Sequence, residues 1–282
     1  MDDDFDPLAY IKGLVDIPDG DVDLAMAALA LSTLDHEGVS VGRYVHHLER
    51  LSQDVQAAYQ KAMQDGAQDN AHLRLKVLTG VLGDDYGYCG DVSYYDDLQN
   101  ASLVRVIDRA KGLPITLSIL YIHAARAQGW DIAGLNLPGH FVCRLEMDGE
   151  RLIFDPFHGG EVLDAPDLRS LVKKVLGPSA ELSSAYYEDT SNREILVRLQ
   201  NNIKNRKIDV EDYAGALVHV QRMLMIDPDE YRLHLDAGVL YAKVDQTRAA
   251  IDALVAYIER APYDGDRREA ELLLQELAQR LN

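Results

Sequence analysis

Cysteine is almost missing from this chain: 282 residues contain Cys89, Cys143 and no other. Two thiols with no CxxC pair cannot staple a small secreted fold, so a reducing compartment and a hydrophobically driven core are expected. Basic charge is scarce as well. Lys plus Arg number 28 against 47 Asp plus Glu, a formal charge of −19. Phosphate binding needs a basic face, so nucleic acid is not an expected partner, and an anionic membrane is disfavoured for the same reason. No stretch approaches the roughly 20 consecutive apolar residues of a membrane helix. No basic segment leads into an apolar run near residue 1, so no secretory leader is expected. A soluble, cytoplasmic protein of bacterial style is therefore expected.

What is present is an ordinary apolar share, 47%, over a length that suits two modest domains. Residues 1–20 read as an acidic tail, with Asp2, Asp3 and Asp4 solvated. Residues 22–65 carry apolar residues at helical spacing: Leu24, Ala28, Leu31 and Leu34, then Val45, Leu48, Leu51, Val55 and Tyr59. A short helix is predicted over 72–82, ended by Gly83. Residues 86–100 have no steady period and read as a long ordered loop held by Tyr86, Tyr88, Tyr94 and Tyr95. Residues 102–111 form a short helix stopped by Gly112. Pro114 suits a first helical turn. The helix it opens, apolar nearly all round, should be buried and end with Gly129 at C′. Residues 132–137, 141–147 and 152–155 have strand composition, and Met147-Asp148-Gly149-Glu150 is a hairpin turn. A helix against a short antiparallel sheet is an α+β arrangement. It occupies residues 21–178 together with the helical N-terminal part.

Residues 179–191 read as a linker, and residues 192–282 as an all-α repeat domain. Residues 212–228 superimpose on 246–262 at a period of 34: Ala216 on Ala250, Leu217 on Ile251, Val220 on Leu254, Leu224 on Ile258 and Pro228 on Pro262. That is the tetratricopeptide length, with small residues at helix crossings and a proline closing each unit. Fewer than three full repeats are visible, so residues 195–203 and a final helix over 267–281 must complete the stack.

One constellation carries chemistry. A helix entered through Gly-Leu-Pro, a strand opening with His140 and a strand ending in Asp155 resemble, in this order, the transglutaminase-like (papain-like) core. There a Cys opens the helix, followed by a His and an Asp on successive strands. Aligning Gly129 and His140 with that pattern puts Pro114 on the cysteine position. The chemistry needs a thiol activated at a helix N-terminus, an imidazole beside it and a carboxylate that fixes the imidazole tautomer. His140 and Asp155 can supply the last two; Pro114 cannot attack. Fallback nucleophiles are Cys89, in a loop able to fold over the site, and Ser118, one turn below Pro114. Thr116 points elsewhere, and Cys143, at an odd offset from His140 along one strand, is read as a buried structural thiol. The cleft is expected to be walled by Tyr88, Tyr94, Tyr95, Asn100, Ser102, Phe141 and Phe157. A metal set of His140, Asp155 and His158 lacks HxxxH or CxxC spacing, so no metal and no cofactor are expected. His46 and His47 read as a solvated pair, His123 as a packed histidine, and His158-Gly159-Gly160 as a turn rather than a phosphate loop.

The Tyr-Tyr-Asp, Asn-x-Ser-Leu, Gly-x-Pro-Ile-x-Leu-Ser, Pro-Gly-His-Phe and Asp-Pro-Phe-x-Gly-Gly pieces occur in order over residues 94–160. With the repeats that follow, the sequence resembles the SirB family, a transglutaminase-like domain followed by tetratricopeptide repeats, over roughly residues 20–282. Members typically carry the proline, so the resemblance implies a non-catalytic relative. Pro114 combined with repeats whose grooves suit peptides points to a protein or peptide partner. The alternative is a hydrolase or acyltransferase using His140 and Asp155 with Cys89 or Ser118. Asp91 stands where Asn is usual in that family, and Asp97 where Pro is.

Overall fold

The computed structural model describes residues 5–36 and 38–280; Asp2, Asp3 and Asp4, expected as a solvated tail, and Leu281 of the expected last helix lie outside them. The chain divides into two compact units, Met1–Tyr10 with Asp19–Ile195, and Ile11–Pro18 with Leu196–Asn282.

The rest of the expected acidic tail is folded. Helix α1 (Pro7–Gly13) is started by Asp6, whose carboxylate accepts the N–H groups of Leu8 at 2.9 Å and Ala9 at 3.1 Å. Ile11 and Leu14 are fully buried, which the surrounding acids hide from a composition-based reading.

In the first unit, α2 (Leu24–Thr33) is capped by Asp23, which accepts Met26 N–H at 2.9 Å. The expected helical stretch 22–65 is broken after it, where Gly38 takes φ 75°. Helix α3 (Gly42–Gln64) then buries one stripe, Tyr44, Leu48, Leu51 and Val55. Helix α4 (Ala71–Thr79), capped by Asn70, widens into a π-helical turn at Gly80–Asp85 instead of continuing as an α-helix to Leu82. Two glycines, Gly80 and Gly83, lower the α preference there. Strand β1 (Cys89–Gly90) pairs in parallel with β2 (Lys111–Gly112). Between them α5 (Leu103–Arg109) stops earlier than expected, because Ala110 adopts the left-handed conformation.

Helix α6 (Pro114–Arg126) opens with Pro114 at N1, where a missing N–H has no cost, and Thr116 Oγ accepts the Leu113 N–H at 3.0 Å. It ends in a Schellman motif: Trp130 N–H donates to Ala125 C=O at 3.1 Å and Gly129 N–H to Arg126 C=O at 2.9 Å. Gly129, at φ 72°, is the C′ residue the sequence calls for. The helix is buried almost all round. It packs on β3 (Asp131–Leu137) and β4 (His140–Met147) of an antiparallel sheet completed by β5 (Glu150–Asp155), β6 (Glu161–Val162) and β7 (Asp189–Thr190), in the order β6-β5-β4-β3-β7. The β4–β5 turn has φ 50° at Asp148 and 85° at Gly149, the primed geometry that matches strand twist. On the other face, Leu135, Leu137 and Val142 meet Leu168 and Val172 of α7 (Ala165–Leu176).

Residues 179–191 are not a linker. Ala180, Leu182 and Tyr186 cover the same apolar cluster as α7. Thr190 and Asp189 pair with Gly134 and Leu135 as the fifth strand. Helix α8 (Asn192–Asp209) follows, and the Asp19 carboxylate accepts its Asn192 and Arg193 N–H groups, both at 2.9 Å, an anion at the positive helix end.

The second unit stacks the continuation of α8 with α9 (Tyr213–Ile226), α10 (Arg232–Lys243), α11 (Thr247–Arg260) and α12 (Asp264–Arg280). Helices α9 and α11 start and end 34 positions apart, in register with the sequence repeat. The matched residues Ala216, Val220, Ala250 and Leu254 are all fully buried, while Ala270 and Leu277 of α12 close one end of the stack.

Candidate functional site

The β4–β5 hairpin fixes the geometry. Its register pairs Met147 with Glu150 and Cys143 with Phe154. The start of β4 therefore lies beside the end of β5, although His140 and Asp155 are far from the turn. His140 Nε2 donates to Asp155 Oδ2 at 2.6 Å. A second donor shares that oxygen: His158 Nδ1 lies 2.7 Å from Asp155 Oδ2. The other carboxylate oxygen, Oδ1, accepts Phe157 N–H at 2.9 Å. Asp155 is 1% exposed. Burial alone pushes its pKa up, but the hydrogen bonds and charges of His140 and His158 outweigh that and hold it below the usual carboxylate range. Their ligating atoms all lie within 4.8 Å of one another, a cluster that sequence spacing alone does not signal.

Helix α6, opening at Pro114, packs against both β4 and the Pro156–His158 turn. Pro114 itself is buried. Ser118 is fully buried; its hydroxyl makes no hydrogen bond of regular geometry and influences the Cys143 thiol. Cys143 is fully buried too, and burial pushes its thiol up to about 12, so it is protonated at neutral pH. Cys89 is exposed on β1. A Cβ on its neighbour Gly90 would lie 2.6 Å from the Phe157 ring and carbonyl, so glycine is required for β1 to approach that turn. Successive strand residues alternate, which directs Cys89 away from Phe157.

The expected cleft walls separate into three groups. Tyr95 stacks edge-on against Phe157 at 5.7 Å, and Phe157 stacks edge-on against His140 at 6.2 Å. Tyr88, Asn100, Ser102 and Phe141 are buried framework residues instead. Tyr88 OH lies 2.7 Å from His47 Nε2, so His47 is not solvated as its neighbour His46 is. Ser102 Oγ meets His36 Nε2 at 3.1 Å, and Phe141 fills the space left by Gly134. His123 is packed, 3.1 Å from Ser52 Oγ. Tyr94 is 71% exposed.

Loop 86–100 is held in part by the expected tyrosines, Tyr86 OH donating to Asp54 Oδ2 at 2.6 Å and Tyr88 OH meeting His47, and also by charge. Buried Asp91 takes Arg109 Nη2 at 3.0 Å and Tyr94 N–H at 3.1 Å, and Arg109 Nη1 reaches Asn100 Oδ1 at 3.0 Å. Burial raises the Asp91 pKa, but these donors bring it below the usual range. Asn100 C=O in turn accepts from Thr116 Oγ at 2.6 Å and Leu113 N–H at 3.1 Å, tying the loop to the start of α6. Asp97 caps the next turn through Gln99 N–H at 2.9 Å. The pairing of Asp91 with Arg109 is not legible in the sequence, where Asp91 is one of three acids in the segment, with Asp96 and Asp97.

The sequence profile of the Transglutaminase-like superfamily matches residues 42–201, and that of the tetratricopeptide repeat matches residues 203–275. A UPF0162 protein of Xylella fastidiosa is 31% identical over 193 residues, covering 67% of this chain and 69% of the relative. A UPF0162 protein of Vibrio cholerae is 26% identical over 264 residues, 93% and 90% of the two chains. Protein SirB1 of Salmonella typhimurium is 24% identical over 218 residues, 77% and 78%. The chain thus belongs to the transglutaminase-like superfamily, in the SirB and UPF0162 group that joins this domain to tetratricopeptide repeats.

Proposed function

We propose that this protein is a non-catalytic transglutaminase-like module that binds a protein or peptide partner through its cleft and its helical repeats, with a regulatory role in the cytoplasm. The observation that carries the reading is Pro114 at the first turn of α6, in a core where His140 and Asp155 keep their hydrogen bond. Thiol chemistry of this type starts from a thiolate at the helix N-terminus. Proline has no such group, and the thiol of Cys143 stays protonated. Binding is supported by the repeats, whose grooves suit peptides and helices. Exposed Val92, Tyr94, Tyr95 and Leu98 on the loop beside Phe157 add apolar surface for a partner. Among the described residues no helix is long and apolar enough to cross a membrane.

A hydrolase or acyltransferase is the second reading, favoured by one observation: the exposed thiol of Cys89 sits on the strand that touches the Phe157 turn. His140 would then act as base and Asp155 as its orienting acid, with Ser118 a weaker nucleophile because it is buried. A thiol-directed activity probe applied to the full chain separates the two. The non-catalytic reading expects alkylation of Cys89 at the same rate in wild type and His140→Ala. Labelling that vanishes in both His140→Ala and Cys89→Ala overturns it.

A further inference from the structure

Asp155 Oδ2 faces two imidazole nitrogens at once, His140 Nε2 at 2.6 Å and His158 Nδ1 at 2.7 Å. A transglutaminase-like triad uses only the first of these histidines. His158 is brought in by the Pro156–His158 turn that follows β5, and nothing in the triad chemistry requires it there. Two neutral imidazoles and one carboxylate are a common donor set for a divalent transition-metal ion, with one negative charge set against two positive. Metal–ligand bonds of about 2.1 Å put tetrahedral neighbours about 3.4 Å apart. The two short contacts to Asp155 therefore need to open by less than about 1 Å to seat an ion.

Two further features fit such a site. The Phe157 N–H on Asp155 Oδ1 fixes the carboxylate plane, the kind of outer contact that orients metal ligands. Side-chain exposure rises from 2% at Asp155 and 12% at His140 to 50% at His158, so the cluster is anchored in the core and open to water on one side. We propose that His140 Nε2, Asp155 Oδ2 and His158 Nδ1 bind a divalent transition-metal ion, with Zn²⁺ the best match, leaving one coordination position toward solvent on the His158 side. Binding moves each bridging proton to the far nitrogen of its ring or to water; no oxidation or reduction is involved. The site does not depend on the partner-binding reading. A bound ion occupies the imidazole nitrogen that orients a triad, and its open position can accept an anionic group from water or from a ligand.

The test is titration of the full chain, first stripped with chelator, using Co²⁺ as a visible-absorption probe and Zn²⁺ as competitor near neutral pH. One equivalent should saturate, produce ligand-field bands, be displaced by Zn²⁺ and raise the melting temperature. His158→Ala, at a half-exposed position that leaves the His140–Asp155 bond intact, should weaken binding by at least about 10-fold. Asp155→Asn should do the same. His72→Ala should change nothing, because the His72–Glu150 pair offers only two exposed donors. The proposal is overturned if no saturable equivalent binds, if His158→Ala binds as tightly as wild type, or if His72→Ala abolishes binding.

Discussion

Removing the two histidines around Asp155 one at a time and together measures how the buried carboxylate is held. In His140→Ala, Asp155 Oδ2 loses a 2.6 Å donor but keeps His158 at 2.7 Å, and Oδ1 keeps the Phe157 N–H. One lost hydrogen bond to a buried charge, partly compensated, costs about 1–3 kcal/mol. In His158→Ala the lost donor is half exposed and water replaces it, so the cost stays below about 1 kcal/mol. In the double variant Oδ2 has neither histidine, at a residue 1% exposed. An uncompensated buried charge is then destabilising by about 3–5 kcal/mol. The double cost should exceed the sum of the singles, because each histidine rescues the other's removal. Trp130 is the chain's single tryptophan and lies in the same unit, buried edge-on against Tyr59 at 5.2 Å. Its fluorescence during urea unfolding of metal-free protein at pH 7 therefore reports the unit that holds the site, with the midpoint moving at constant slope. Strict additivity, or a His140→Ala cost under about 0.5 kcal/mol, refutes the shared-carboxylate argument.

Burial, chiefly, lowers the pKa of His47, and of His36 likewise. The unfolded chain then binds the extra protons, so stability should rise with pH up to about 6.5 and level off above it. His47→Gln should flatten part of that rise in Trp130-detected unfolding curves; an unchanged pH profile contradicts the assignment. Gly134→Ala places a Cβ 2.4 Å from Phe141 Cζ and 3.2 Å from Ile195 Cδ1, all inside the core. It should cost about 1–3 kcal/mol by the same assay, and a neutral result would mean that Phe141 can move. In the repeat unit, Gly238→Ala meets Leu254 Cγ at 2.7 Å and should lower stability by about 1–3 kcal/mol in far-UV circular dichroism. A colourless disulfide reagent with a chromogenic leaving thiolate should modify one cysteine rapidly in the native protein, Cys89, and Cys143 only on unfolding; two fast equivalents contradict the burial of Cys143.

Segments whose signal is local are legible in the amino-acid sequence. The 34-residue repeat places α9 and α11 because each helix reports its own apolar face. Gly-Leu-Pro and Gly129 bracket α6, and Asp148-Gly149 sets the hairpin, because caps and turns depend on residues a few positions apart. The meeting of His140 with Asp155 follows from that hairpin plus the order of the strands. The same local reading fails where packing overrides composition. Acid-rich residues 5–20 hide Ile11 and Leu14, and residues 179–191 hide a sheet edge. Cleft walls read from residue type alone take in framework side chains such as Tyr88 and Phe141, because an aromatic ring suits a core as well as a cleft.

By itself the sequence determined the two-part architecture, the α+β core and the proline that opens α6, since these rest on periodicity, spacing and residue identity. Only the tertiary structure decided that His158 joins His140 on one carboxylate oxygen, that Arg109 locks Asp91 and Asn100, and that Asp19 caps a helix 173 residues later. The physical reason is common to all three. A buried or half-buried charge takes whichever donor the packed chain brings within about 3 Å, and that choice is not written in the spacing of either partner.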